Sequence, residues 1–252
     1  MNSDSILKVT SSPLSLLLSE LYSTTLEKRL KETDSRKATK TQTAGEKYVS
    51  SIFHLHVKII STFETLLTIP IYLSNLPSKR LLEKYDIPKT QYYQYHIESH
   101  IIRMTTLFDQ LVLFVNGLYQ LGIDPKKCSA DLVFNNSHTK STKEVQLLKE
   151  LHKAINNIKG ARNKIVHRGE FSDSDLDDIA TRELFKRTKS IDDEMDRDLK
   201  IYIYLETYVS RKYKKNKIKE LSENNQFFEK FLITFFGHAV KTFSEKYPGD
   251  IE

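Results

Sequence analysis

The chain has 252 residues, of which 39% are hydrophobic and 29% charged, and its net charge is +6. This balance excludes a chain that is disordered throughout, and the length allows one large domain or a domain with an extension. We find no run of about 18 apolar residues and no secretory signal, and we therefore predict a cytoplasmic protein with no membrane segment. The single cysteine, Cys128, excludes an internal disulfide and a cysteine-based zinc site.

Glycine and proline are scarce, with 7 and 6 residues. Doubly wound and all-β folds need many glycines at their turns, so this scarcity favours helices. The predicted fold class is all-α, a helical bundle with additional flanking helices. Charge is unevenly distributed, because residues 170–198 hold 11 acids and 5 basic residues. That segment therefore carries −6 and the rest of the chain +12, which weakly favours a polyanionic partner.

Apolar residues at helical spacing predict helices along most of the chain. Pro70 and Pro77 predict a break after the first long helix, and Thr142 is a plausible N-cap. Residues 32–46 are polar and aperiodic and are predicted to form a loop. In chain order, the predicted helices cover residues 14–31, 47–69, 78–86, 90–121, 143 to the region of 168, about 173–189, 198–217 and 224–247.

Three regions follow from this pattern. Residues 1–46 are predicted to form an N-terminal helix and a polar linker. Residues 47–170 are predicted to form the bundle itself. Residues 171–252 are predicted to form a helical extension, first acidic and then basic, in which the sequence SRKYKKNKIKE begins at Ser210. That basic run could follow a phosphate backbone or could be a solvated helix face.

The sequence GARNKIVHRGEF, at residues 160–171, places an arginine, an asparagine and a histidine within six positions. The spacing alone is common enough to arise by chance in a chain with 8 histidines. One interpretation is a plain helix end, whose basic residues complement the helix dipole and whose Gly169 stops the helix. The other is a functional site, with Ile165 and Val166 anchoring the segment to the core just before His167.

The segment RNKIVHRG resembles the Arg-x4-6-His signature of the HEPN superfamily, in which the residue after the arginine is usually polar. The resemblance implies an all-α bundle, a homodimer and, in many members, a metal-independent endoribonuclease that acts as a toxin or anti-phage effector. It implies catalytic roles for Arg162, Asn163 and His167, RNA as substrate, and a possible antitoxin or regulatory protein partner. It implies no cofactor. The alternative is a non-catalytic HEPN-like module that binds RNA, a nucleotide or a protein.

The chemistry of RNA cleavage fits these residue types. Attack by the 2′-hydroxyl needs a base, an acid for the leaving oxygen and a cation for the phosphorane, and it needs no metal. Histidine can act as acid or base near neutral pH, and the arginine fork binds two phosphate oxygens. On a straight helix, however, Arg162 and His167 diverge by about 140°. A two-fold dimer would supply a second copy of the motif opposite the first.

Other patterns are less specific. HIESH places His96 and His100 at metal-ligand spacing, but no third ligand is evident, so packed histidines are favoured over a metal site. The tyrosines of YYQYHI, residues 92–97, could stack on bases but are more typical of packing at the edge of a bundle. Possible supporting or RNA-contacting residues are Glu98, His100, Lys164, Arg168, Lys212, Lys214 and Lys215.

Overall fold

A computed structural model describes residues 2–31, 42–188 and 197–247. All regular structure in these ranges is α-helical, which confirms the predicted all-α class. Most of the predicted polar loop, at 32–46, lies outside the described residues. The helices are α1 (Asn2–Thr10), α2 (Pro13–Lys31), α3 (Ala44–Ser74), α4 (Lys79–Lys84), α5 (Lys89–Leu118), α6 (Ala130–Asn135), α7 (Lys143–Ala154), α8 (Asn156–Arg168), α9 (Ser174–Thr188), α10 (Arg197–Tyr204) and α11 (Glu206–Lys246).

Two compact units are assembled from separate stretches of the chain. The described residues of unit 1 fall within Met1–Thr65, Met104–Asn156 and Gln226–Glu252, and those of unit 2 within Leu66–Arg103 and Asn157–Asn225. Three of the four unit boundaries therefore fall inside the long helices α3, α5 and α11, and the fourth follows Asn156, the first residue of α8. The predicted boundaries after residues 46 and 170 each lie within a unit.

Unit 1 has a core rich in aromatic side chains. Inside this core, a carboxylate is held by two hydroxyl groups: Glu144 accepts hydrogen bonds from Tyr119 at 2.9 Å and from Thr242 at 2.8 Å. These bonds satisfy a carboxylate that would otherwise be costly to bury. The phenylalanines that are fully buried in this unit are Phe63, Phe108, Phe114, Phe228, Phe235, Phe236 and Phe243.

Unit 2 has a smaller apolar cluster and a buried ionic network. Glu206 is only 2% exposed and pairs with Lys89 at 3.4 Å and with Lys186 at 3.2 Å. Glu183 accepts from the backbone N–H groups of Lys89 and Thr90, at the start of α5, where a carboxylate complements the helix dipole. The buried apolar cluster consists of Ile69, Leu73, Tyr93, Ile97, Leu176, Ile179, Tyr213 and Leu221.

The break predicted between Pro70 and Pro77 is present, since residues 75–78 are not helical, but the predicted helix end near residue 69 is wrong because α3 continues through Pro70 to Ser74. A proline inside a helix leaves the carbonyl four residues earlier without its N–H donor. In unit 2 that carbonyl, of Leu66, accepts a hydrogen bond of 2.8 Å from the side-chain amide of Asn225. The missing backbone bond is thus replaced by a side chain that is 4% exposed.

Other helix boundaries also differ from the prediction. The predicted helix at 198–217 is interrupted at Leu205, and the part after Leu205 joins the predicted helix at 224–247 in one long helix, α11, which runs unbroken from Glu206 to Lys246. Leu221 lies in the predicted gap and is buried in the unit 2 cluster, so packing stabilises the helix there. The helix predicted from residue 143 into the motif is instead interrupted at Ile155, which caps α7.

Within the described residues, two helices are long and apolar enough to cross a membrane by length and composition alone, namely α3 and α5. The qualifying windows of these helices are 50% and 56% buried inside the protein. The core helices of a folded domain have this composition because they are covered by other helices, so the finding is weak evidence for a membrane segment.

Candidate functional site

The motif residues lie on α8, a helix without a single buried residue. Ile158, Ala161 and Ile165 are half-buried, which is the only apolar side that the helix shows to its unit. Val166 is 47% exposed. The expectation that Val166 anchors the segment to the core is therefore wrong, and its side chain lies at the surface.

Gly169 ends α8, as the sequence predicts. Its φ of +66° lies in the left-handed region, which an L side chain rarely adopts. Its N–H donates to the carbonyl of Ile165 at 3.0 Å, which closes the last turn. The side chain of Phe171 then packs against the apolar cluster of unit 2, so the segment becomes anchored after the motif rather than within it.

The three predicted catalytic residues are accessible. Arg162 is half-buried, whereas Asn163 and His167 are exposed. Arg162 Nη1 donates to Asn163 Oδ1 at 3.1 Å. His167 forms no side-chain hydrogen bond with any described residue. Because α8 is helical throughout the motif, Asn163 and His167 share a face and Arg162 diverges from His167 by about 140°.

Asp173 links the end of the motif segment to the basic stretch of α11. One of its carboxylate oxygens accepts from the N–H of Leu176, and the other accepts from the hydroxyl of Tyr213 at 3.0 Å and lies 3.2 Å from the ammonium of Lys217. Burial alone would raise the pKa of the Asp173 carboxyl, but Lys217 and these hydrogen bonds outweigh burial and lower that pKa. Asp173 therefore both caps α9 and fixes α11 in unit 2.

The basic stretch of α11 has two kinds of residue. Tyr213 and Lys217 face inward and are engaged by Asp173. Lys214 is half-buried and donates to the carbonyl of Ser74 at 3.4 Å. Lys212 and Lys215 are exposed and form no ion pair with the described residues. On α8, Lys164 and Arg168 are exposed as well.

The structure places His100 in the core, with none of its surface accessible. The amide of Asn225 donates through Nδ2 to Leu66, so its Oδ1 accepts from His100 Nε2 at 3.0 Å. His100 Nδ1 has no partner among the described residues, and burial lowers the pKa of this histidine to about 4. His100 is thus a neutral structural residue, and Glu98 accepts from Gln94 on its own helix.

The other histidine and the tyrosines of YYQYHI are mostly packing residues. His96 is 9% exposed and lies against the rings of Tyr72, Tyr92 and Tyr95. Tyr93 is buried in the unit 2 cluster. In the described part of the chain, no group of three or more His, Cys, Asp or Glu residues could hold a metal ion.

Asp173 lies at the helix start that the sequence predicts near residue 173, whereas Asn225 is an organising residue that the sequence did not single out. Asp173 had a detectable signal, because an acidic residue three positions before the first buried leucine is a common N-cap. Asn225 had none, since its role depends on a carbonyl that Pro70 leaves free in another helix.

A comparison with known families identifies the class of protein. The family model described as HEPN_Cthe2314-like HEPN matches residues 45–239, more than half of the chain. The chain belongs to this HEPN family, and the resemblance inferred from RNKIVHRG is confirmed. The match starts close to residue 47 but continues well beyond 170, into the segment that the sequence assigned to an extension. No curated protein and no solved structure matches the chain.

Proposed function

We propose that the protein is a metal-independent endoribonuclease that cleaves RNA at a composite site formed by two copies of the chain. The observation that carries this proposal is the accessible motif: Arg162, Asn163 and His167 lie on a HEPN-family helix that has no fully buried residue. A histidine kept for structure would be packed and bonded, as His100 is. The motif histidine is instead free to act on a ligand.

The proposed reaction uses the substrate's own 2′-hydroxyl. One histidine removes the proton from this hydroxyl, and the oxygen attacks the adjacent phosphorus. The phosphorus–O5′ bond then breaks, leaving a 2′,3′-cyclic phosphate, and a second histidine donates a proton to the departing 5′-oxygen. Arg162 stabilises the charge that builds up on the phosphorane oxygens, because its fork donates two N–H groups to them. Asn163 accepts from Arg162 and orients its guanidinium.

A dimer supplies what a single chain lacks. One α8 provides a single motif histidine, on a different face from Arg162. A two-fold interface along α8 would bring a second His167 and a second Arg162 to the same cleft. The exposed Val166 and the half-buried Ile165 would provide apolar area for such an interface.

The test is cleavage of a labelled RNA in EDTA by the wild type and by His167→Ala. The variant is expected to lose at least a factor of about 100, the usual size of a general acid–base contribution. His238→Ala is the matched control, because His238 is also an exposed helical histidine but lies on α11 in unit 1. Equal cleavage by wild type and His167→Ala, or none by the wild type, would refute the proposal.

Two further measurements test the roles of the arginine and the dimer. Arg162→Lys should lose at least about tenfold in activity, since an ammonium cannot present two parallel N–H donors. An excess of His167→Ala added to the wild type should suppress activity, because mixed dimers hold only one motif histidine. Excess His238→Ala should add activity instead.

The biological setting that fits this function is a toxin or phage-defence effector acting on cytoplasmic RNA, controlled by an antitoxin or a regulatory protein. Expression of the wild type should then arrest growth, and expression of His167→Ala should not. RNA binding without any cleavage would favour the alternative, a non-catalytic HEPN module.

A further inference from the structure

An exposed apolar stripe runs along α10 and the start of α11. Ile201, Tyr204, Leu205 and Tyr208 are 46%, 69%, 45% and 65% exposed. Their spacing of i, i+3, i+4 and i+7 puts them on one helix face, the pattern that normally faces a core. The N–H of Leu205 bonds to Ile201 O at 3.0 Å and that of Val209 to Leu205 O at 2.9 Å, so Leu205 is hydrogen-bonded to both helices. The helical ladder itself is interrupted at Leu205, between α10 and α11, where the Tyr202 carbonyl accepts from Arg182.

The same face continues into unpaired positive charge. One and two turns beyond Tyr208 lie Arg211, Lys212 and Lys215, which are exposed and form no ion pair or hydrogen bond with the described residues. No acidic residue occurs between Glu206 and Glu220. The inward face of this stretch is different, since Lys217 is paired with Asp173 and Glu220. The outward cations are therefore available to a ligand.

We propose that this face, the tyrosine–lysine stripe (Tyr204, Tyr208, Arg211, Lys212 and Lys215), binds a single-stranded segment of the RNA substrate. This inference rests on the proposed ribonuclease function, since it names the form of RNA that the chain holds. Bases stack on the two tyrosine rings, and phosphates lie against the three cations. Aromatic rings beside a basic track are the usual means of holding a single strand without reading its sequence.

Spacing and chemistry favour a single strand over a duplex or a protein. The two tyrosines are one turn apart, about 6 Å along the helix axis, so each ring can take a separate base. Bases in a duplex stay stacked on one another and offer no free face. A protein interface is normally depleted in lysine at its centre, whereas this face passes directly into unpaired lysines.

The test is binding of a fluorescein-labelled oligouridine of about twelve nucleotides, followed by anisotropy. His167→Ala is the parent chain, so that cleavage does not interfere. Adding Tyr204→Ala or Tyr208→Ala should weaken binding about fivefold or more in each case, and phenylalanine at either position should preserve it. Tyr95→Ala is the matched control, because Tyr95 is 66% exposed but lies on α5. It should bind like the parent.

The salt dependence of binding tests the role of the cations. Replacing Lys212 or Lys215 by alanine should reduce the slope of log affinity against log salt by about 0.7 for each residue. A duplex of the same length should bind more weakly than the single strand and should not respond to the tyrosine substitutions. Circular dichroism should show unchanged helicity in every variant, since the substituted side chains are exposed.

The stripe and the ribonuclease proposal can fail separately. Cleavage by the wild type together with unchanged binding by the tyrosine variants would overturn the stripe alone. Tyrosine-dependent binding without any cleavage would overturn the ribonuclease alone. No binding of oligouridine by the parent, or a change of oligomeric state in Tyr204→Ala, would also overturn the stripe, the latter by showing a protein interface.

Discussion

Two helices separated by one residue show how differently this chain uses its helices. α7 buries Glu144, Val145, Leu148 and Leu151, whereas α8, which starts just after Ile155, buries nothing. A short helix gains most of its stability from a packed face. α8 has little of this and is held mainly at its C-terminal end, by the glycine stop and by Phe171. One helix builds the core, and the other presents polar side chains.

Within unit 2, the histidines and the asparagines show the same contrast between a buried and an exposed position. His100 and Asn225 are buried and bonded to each other, whereas His167 and Asn163 are exposed on α8. Residue type alone does not distinguish a structural histidine from a candidate catalytic one. Burial and hydrogen-bond partners make this distinction. Four experiments test buried or constrained residues, three of them by comparison with an exposed one.

The largest effect on the free energy of unfolding is expected when a buried side chain of α7 is shortened, in comparison with an exposed one of α8. Leu148→Ala should lower the free energy of unfolding by about 2–5 kcal/mol, because it leaves a cavity in the core of unit 1. Val166→Ala, on the exposed side of α8, should change it by less than about 0.5 kcal/mol at protein concentrations low enough to keep the chain monomeric. Urea unfolding followed by circular dichroism measures both. A similar loss in the two variants would mean that α8 is packed.

The buried asparagine should matter more than the exposed one. Asn225→Ala leaves Leu66 O and His100 Nε2 without partners, and should cost about 2 kcal/mol. Asn163→Ala should cost little stability. Adding Pro70→Ala to Asn225→Ala restores a backbone N–H for Leu66, so the double variant should lose less than the sum of the single changes. Strict additivity in urea unfolding would contradict the role assigned to Asn225.

The two deeply buried histidines should make the stability of the chain depend on pH. Burial lowers the pKa of His56 and of His100 to about 4, below the roughly 6.5 of the unfolded chain. The unfolded chain therefore binds more protons below pH 6.5. The stability that these residues contribute is complete above pH 6.5 and is lost as the pH falls toward 4. Between pH 7 and 5.5 the loss should be roughly 1 kcal/mol for each histidine.

Urea midpoints across this pH range provide the measurement. His100→Gln keeps an N–H donor for Asn225 but does not titrate, so it should flatten the pH dependence. His56→Gln removes the other buried histidine and should flatten the dependence to a similar extent. An unchanged pH dependence in both variants would contradict the burial of these two histidines in the neutral form.

The smallest effect on stability is expected for alanine substitutions at the two glycines of the motif segment. Gly169→Ala should destabilise the chain by about 1 kcal/mol, because its φ of +66° is strained for an L residue. Gly160→Ala should be neutral or stabilising by up to about 1 kcal/mol, since it lies inside α8 and a methyl group there meets nothing within 4 Å. Thermal unfolding separates the two. Equal destabilisation would show that Gly160 is also constrained.

Several features of the fold could be predicted from local chemistry. The helical class followed from scarce glycine and from apolar spacing, and the Thr142 cap and the Gly169 stop followed from residues next to each helix end. The path of α3 through Pro70 could not be predicted in the same way. The carbonyl that Pro70 leaves free is satisfied by Asn225, which is distant in sequence. Leu221 lies in the predicted gap between two helices, but side chains distant in sequence bury it, so the helix continues through this position.

Local sequence patterns were sufficient to assign the all-α class and to place Arg162, Asn163 and His167 on one helix, because helical spacing involves residues only a few positions apart. The family was inferred from the resemblance of RNKIVHRG to the HEPN signature, and the family match over residues 45–239 confirms it. The tertiary structure was needed to show which polar side chains are exposed and unpaired. It buried His100 against Asn225, paired Lys217 with Asp173, and left His167, Tyr204 and Tyr208 exposed. The physical reason is that burial and pairing depend on which distant side chains fill the space around each residue.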